Sequence, residues 1–84
     1  MPDERILVLL NYMGKELDLE PKILKKILKD IGIKEVYVGK LENNAITLAC
    51  FAKWKTSQVD KKKAEIEKKI PKMRVIRTEP LTRI

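Results

Sequence analysis

The sequence contains no histidine and one cysteine, Cys50. The first absence removes the commonest general base and the commonest metal ligand together. The second excludes an internal disulfide and argues against a cysteine-based metal site. Glycine occurs three times, and no GxGxxG, P-loop, CxxC, HExxH or nucleophile-elbow pattern is present. Amides are scarce as well, with one Gln and three Asn, whereas charged residues make up 37% of the chain. That balance is typical of hyperthermophile proteins, which favour surface ion-pair networks over thermolabile amides. No apolar run approaches the roughly 20 residues of a membrane span. The run Ile6 to Leu10 is five residues long, comes after an acidic-then-basic opening and has no small-residue cleavage site behind it. Neither a signal peptide nor a transmembrane helix is expected, and a cytoplasmic location is.

What is abundant is basic charge. Nineteen Lys and Arg stand against twelve Asp and Glu, a net charge of +7 on 84 residues. Such an excess points to nucleic acid, an anionic surface or an acidic protein partner, with plain solubility charge as the competing reading. The length makes one domain, residues 1–84 with 81–84 as a tail. A domain of this size buries only about 60% of its unfolded surface, and oligomerisation is a usual remedy for so thin a margin.

Ile6-Leu7-Val8-Leu9-Leu10 reads as a strand buried on both faces, at about 6–13. A loop comes next over 14–20, with Leu17 and Leu19 placed to pack back onto the core. Pro21 suits the first position of a helix. Ile23, Leu24, Ile27, Leu28 and Ile31 then make one wide apolar stripe, and Gly32 sits where a left-handed C-cap belongs. Residues 34–41 form a second strand, Glu42-Asn43-Asn44 a turn, and 45–54 a third strand paired antiparallel to the second. In that third strand Ile46, Leu48, Cys50, Ala52 and Trp54 alternate with Ala45, Thr47, Ala49, Phe51 and Lys53. The first set is the more apolar and is turned towards the helices. Ser57 with Asp60 resembles a capping box opening a second helix that Pro71 ends. A fourth strand covers 73–78, and Pro80 confines the last residues to an edge or a tail.

The order β-α-β-β-α-β predicts an α+β, ferredoxin-like two-layer sandwich, with antiparallel sheet order 4-1-3-2 and both helices on one face. Two enzyme groups known on this fold can be tested against the residues. Acylphosphatases use a glycine-containing phosphate cradle with an Arg after strand one; the loop here reads Asn11-Tyr12-Met13-Gly14-Lys15-Glu16, with no Arg. The CRISPR-associated nucleases of this fold carry an Asp at the end of strand one, where this chain has Asn11. Asp3, Glu4, Glu16, Asp18 and Glu20 flank the strand and loop, mostly as solvated partners for lysines. No catalysis, cofactor, metal or small-molecule substrate is expected.

The basic residues carry the candidate site. Lys22, Lys25, Lys26 and Lys29 lie with Asp30 opposite the apolar stripe of the first helix. On the second, Lys61, Lys62, Lys68 and Lys69 face outward with Glu65 and Glu67 interspersed, as on an ordinary thermophile helix face, and Lys63 falls amid the apolar stripe. Together they would offer a phosphate backbone a surface that reads charge and shape rather than sequence. Lys53-Trp54-Lys55 places an aromatic between two lysines at a strand end. Trp54 there either stacks on a base or caps the core with its N–H bonded at the rim. Arg74 and Arg77 are three apart, so at most one of them joins Phe51 and Lys53 on the open sheet face; Arg77 is the candidate.

The topology is that of the RNA-recognition motif, but Asn44-Ala45-Ile46-Thr47-Leu48-Ala49-Cys50-Phe51 lacks that family's basic-Gly-aromatic opening, and strand one has Leu7 or Val8 in place of its aromatic. Ile33-Lys34-Glu35-Val36-Tyr37-Val38 resembles the entry into strand two of the effector domain of Lrp/AsnC-type regulators, and 70–78 resembles its last turn and strand. Where that family has a glycine-containing turn, this chain has Glu42-Asn43-Asn44. Two functions remain in view. One is a basic protein that binds RNA or DNA, alone or within a nucleoprotein complex. The other is an interaction module that forms a homodimer or docks a partner through its sheet face (Tyr37, Ala49, Phe51) or an edge strand.

Overall fold

The computed structural model describes residues 4–84, so the first three residues of the expected lead-in lie outside the described residues. The elements keep the expected order: β1 (Glu4–Met13), α1 (Pro21–Asp30), β2 (Ile33–Glu42), β3 (Ala45–Trp54), α2 (Val59–Lys69) and β4 (Met73–Leu81). The sheet is four-stranded and antiparallel throughout, in the order β2-β3-β1-β4. This is the expected 4-1-3-2 read from the other edge. The apolar run of β1 therefore lies in the interior of the sheet, paired on both sides, but it is buried on one face rather than the expected two: Leu7 and Leu9 point to the open face and are half-buried.

Period-two alternation decides which residues are buried. Ile6, Val8, Leu10 and Tyr12 of β1 and Ile46, Leu48, Cys50, Ala52 and Trp54 of β3 point into one core. Leu24 and Leu28 of α1, Ile66 of α2, and Ile31, Ile33, Ile70 and Met73 at element ends complete it. Leu17 and Leu19 pack against its margin, as the sequence predicts. Ile23, on the rim of the α1 stripe, stays 49% exposed. No helix among the described residues is long and apolar enough to cross a membrane.

The ends of the elements show where local chemistry sets the path. Pro21 opens α1, and the Glu20 carbonyl accepts the N–H groups of Ile23 and Leu24 at 3.0 Å. Gly32 comes after the helix at φ +101°, and its carbonyl accepts the Lys53 N–H at 3.2 Å. The indole Nε1–H of Trp54 donates to the Ile31 carbonyl at 2.7 Å, and a Cβ on Gly32 would lie 2.8 Å from that nitrogen. Helix α1, strand β3 and the indole thus lock together at a point that admits no side chain. Asn43 and Asn44 both take positive φ, 52° and 61°, the primed hairpin geometry that matches strand twist.

Three further expectations are corrected. Ser57 caps nothing: Thr56–Gln58 form a single 3₁₀ turn, α2 begins at Val59 after Gln58, and no side chain caps it. The fourth strand runs on to Leu81 instead of ending near 78, and Pro80 pairs with Ile6 within it. An edge strand can hold a proline because one side of its backbone has no neighbour to bond. Lastly, β4 shifts register opposite Leu9 and Leu10, which pair with Arg77 and Val75. Ile76 is the extra residue of this bulge and is 54% exposed. The bulge resets the alternation, so Arg74, opposite Asn11, and Arg77, opposite Leu9, both occupy open-face positions.

Candidate functional site

The α1 lysines are the first part of the site. Positions 22, 25, 26 and 29 have the i, i+3, i+4, i+7 spacing of one helical face, a stripe about 10 Å long at 1.5 Å per residue. All four are exposed, and together they line a single open depression of about 300 Å³. The ion pairs among the described residues are Arg5–Glu35, Lys72–Asp18 and Arg77–Glu79; none involves an α1 lysine. Among the described residues, then, no carboxylate pairs with these four exposed ammonium groups. That arrangement is costly in self-repulsion and suits a ligand with several negative charges.

The α2 lysines do not share this depression. Lys61, Lys68 and Lys69 are exposed, whereas Lys62 and Lys63 are half-buried. Glu67 of the same helix is turned towards β4 and accepts the Val75 N–H at 3.0 Å, beside the bulge. Lys55 is exposed at the entrance to the 3₁₀ turn and Lys53 is exposed on β3.

Trp54 drops out of the candidate interface. It is 1% exposed, its N–H is bonded, and it occupies an inward position of β3. Of the triplet Lys53-Trp54-Lys55, only the two lysines reach solvent.

The open face of the sheet is the second part. Phe51 pairs with Leu7 on one side and Glu35 on the other; Ala49 lies between Leu9 and Tyr37. The Arg5 guanidinium lies over the Phe51 ring, 4.6 Å from its centroid, and bonds Glu35 at 3.0 Å. The other Glu35 oxygen accepts the Tyr37 hydroxyl at 2.8 Å, and the Tyr37 ring meets Phe51 edge-on at 6.2 Å. Arg77 is on this face, 62% exposed and bonded to Glu79 at 3.0 Å. Arg74 folds back, its guanidinium donating to the carbonyls of Pro71 and Met73 at 2.7 and 2.8 Å. Sequence reasoning passes over Arg5 because it precedes the apolar run. Its odd number, shared with Leu7 and Leu9, is the available signal for the open face.

At the far end of the sheet, Asp18 accepts the Tyr12 hydroxyl and the Lys72 ammonium, the latter at 2.6 Å. This contact ties the 14–20 loop to the turn after α2. Lys72, then Tyr12, holds the Asp18 carboxyl below its ordinary range. Asp18 in turn holds the Lys72 ammonium and the Tyr12 phenol above theirs, burial adding to the phenol's shift. A lowered carboxyl pKa stabilises the fold above the unfolded carboxylate range and is lost as pH falls through the folded value; the two raised groups stabilise below about pH 10 and are lost above it. Asp18→Asn should lower the melting temperature by a constant amount between about pH 5 and 9, a deficit that vanishes in acid below the carboxylate range. Melting curves across pH test this, and a deficit that persisted in strong acid would place the effect elsewhere.

The Cys50 thiol is buried and pushed up to about 12 by that burial, which leaves it unreactive at neutral pH. In comparisons with known proteins, no family model, no curated protein and no solved structure matches this chain.

Proposed function

We propose that this chain is a non-enzymatic nucleic-acid-binding protein on a ferredoxin-like scaffold, holding the phosphate backbone through lysines. The observation that carries this reading is the α1 stripe. Lys22, Lys25, Lys26 and Lys29 share one depression, and no carboxylate pairs with them among the described residues. Lys55 and Lys61 add exposed positive charge elsewhere on the surface, with Lys62 and Lys63 more recessed; Lys53 and Arg77 lie on the open face of the sheet, away from α1, and Arg77 is paired with Glu79. Lysine ammonium groups on flexible stems favour charge over base readout, so affinity should depend little on sequence.

The test is affinity for short labelled duplexes and single strands across a salt series. Micromolar or tighter binding is expected, with log K falling linearly in log salt at a slope of about −0.9 per phosphate neutralised on duplex. Absence of binding at low salt would overturn the reading.

A second reading is favoured by β2, an edge strand on which Tyr37, Val38 and Leu41 are 55%, 60% and 49% exposed. Such an edge can pair with a second copy of the chain. Sedimentation at low and high protein concentration separates a dimer from a monomer, and the two readings are compatible.

A further inference from the structure

We infer that the open sheet face at the Arg5–Phe51 end is a subsite for an unpaired nucleobase, so that the protein prefers single strands to duplex. The inference deepens the nucleic-acid reading but rests on different residues from the α1 stripe.

Two concavities meet at Arg5 and Phe51. The larger, about 540 Å³, is lined by Arg5, Phe51, Leu81, Thr82 and Arg83. The smaller, about 100 Å³, lies on the other side of Arg5 and adds Lys34, Glu35 and Lys53. The larger volume falls within the roughly 300–1,000 Å³ of small-molecule sites. It combines an apolar floor, from Phe51 and Leu81, with cationic walls, which is the pairing that a base and its phosphate require. Among the described residues, four cations, Arg5, Lys34, Lys53 and Arg83, line the two hollows against one carboxylate, Glu35. The neighbouring Glu79, opposite Leu7, is already engaged by Arg77.

The platform is held in place before any ligand arrives. Glu35 accepts from Arg5 at 3.0 Å and from Tyr37 at 2.8 Å, fixing the guanidinium over the Phe51 ring and the Tyr37 ring at its edge. A guanidinium plane and an aromatic ring are both surfaces on which bases stack. A duplex keeps its bases stacked on one another and cannot use this platform. The α1 lysines need only phosphates and do not distinguish the two.

The experiment compares a short labelled single strand, its abasic counterpart and the matching duplex, at fixed salt. The proteins are the parent chain, Phe51→Ala, Phe51→Leu, Phe51→Tyr and Lys25→Glu/Lys26→Glu. Phe51→Ala and Phe51→Leu should weaken the single-strand complex by about 5- to 150-fold, the range of a lost base–aromatic stack, and leave duplex binding within about twofold. Phe51→Leu keeps the apolar volume, so its loss cannot be put down to unfolding, which circular dichroism checks. Phe51→Tyr should bind like the parent, and the abasic strand should bind the parent as weakly as the normal strand binds Phe51→Leu. Lys25→Glu/Lys26→Glu should weaken single strand and duplex alike. If that pair has no effect while Phe51→Leu does, the α1 reading fails and the sheet subsite stands. If Phe51→Leu binds single strands like the parent, or loses duplex affinity equally, the subsite is overturned. Dissociation of a parent dimer by Phe51→Leu with no change in strand binding would also overturn it, and would assign the face to contact between copies.

Discussion

Trp54→Ala is expected to lower stability by about 3–5 kcal/mol, a third or more of what a domain of this size commonly has. The reason is position as much as size. Trp54 is 1% exposed, closes the end of the core between β3 and the α1 terminus, and holds the Ile31 carbonyl through its indole N–H at 2.7 Å. Alanine removes the packing, opens a cavity and leaves that carbonyl without its partner. At about 0.05–0.15 kcal/mol per residue, an 84-residue domain has only some 4–13 kcal/mol to lose. Trp54→Phe separates the two effects. It keeps most of the apolar surface and should cost about 1–3 kcal/mol, mainly for the unpaired carbonyl.

Gly32→Ala is tied to the same indole. Its φ of +101° already disfavours a side chain by about 1–3 kcal/mol, and its Cβ would press to 2.8 Å from Trp54 Nε1, the atom that bonds Ile31. The two substitutions should therefore be non-additive. With Trp54 truncated, the Cβ has room, and Gly32→Ala should cost only its backbone strain. Urea unfolding monitored by circular dichroism measures the cycle. Strict additivity would mean that glycine and indole do not meet as described.

The same indole shows what the sequence makes legible. Alternation along 45–54 turns Ile46, Leu48, Cys50 and Ala52 inward, and Trp54 shares their parity. Its burial is therefore available from periodicity, whereas the flanking lysines suggest an exposed stacking residue. Periodicity succeeds wherever an element presents one face to the core: the α1 stripe, the alternation along β3, and the Asn43–Asn44 hairpin with its turn chemistry. It misleads in β1, where an unbroken apolar run suggests burial on both faces although Leu7 and Leu9 lie on the open one. It fails where one residue is inserted. Nothing in Arg74-Val75-Ile76-Arg77 signals a bulge, since there is no glycine to mark it, and one unpaired residue is enough to move an arginine to the other face. It fails again at Ser57, where a hydroxyl at the right spacing is a weak signal against a 3₁₀ turn built from backbone bonds such as Gln58 N–H to Lys55 carbonyl at 2.8 Å. The Arg5–Glu35–Tyr37–Phe51 assembly spans β1 and the β2–β3 hairpin some thirty residues on, so only the pairing of β1 with β3 brings it together.

Replacing all four α1 lysines by alanine should reduce the salt slope of duplex binding by about 3–4, close to one for each phosphate no longer neutralised. Each lysine's contribution is mainly counterion release, which shrinks as salt rises. Affinity should therefore fall most at low salt, by about a thousandfold, and the parent and variant curves should converge towards molar salt. Alanine is the better helix former on an exposed face, and none of the four side chains enters the core, so the fold should be unharmed or slightly steadier. Relief of repulsion among four ammonium groups on one helix face acts in the same direction. This gives the experiment an internal control: stability should hold or rise while affinity collapses. Substituting Lys61, Lys68 and Lys69 on α2 offers the contrast, since those residues lie outside the α1 depression and share their helix with Glu65 and Glu67. Equal losses from both sets would mean that the whole positive field attracts the ligand and that α1 holds no particular place in it. A loss confined to the α1 set, with the slope reduced by the number of lysines removed, would put the phosphate backbone along that helix.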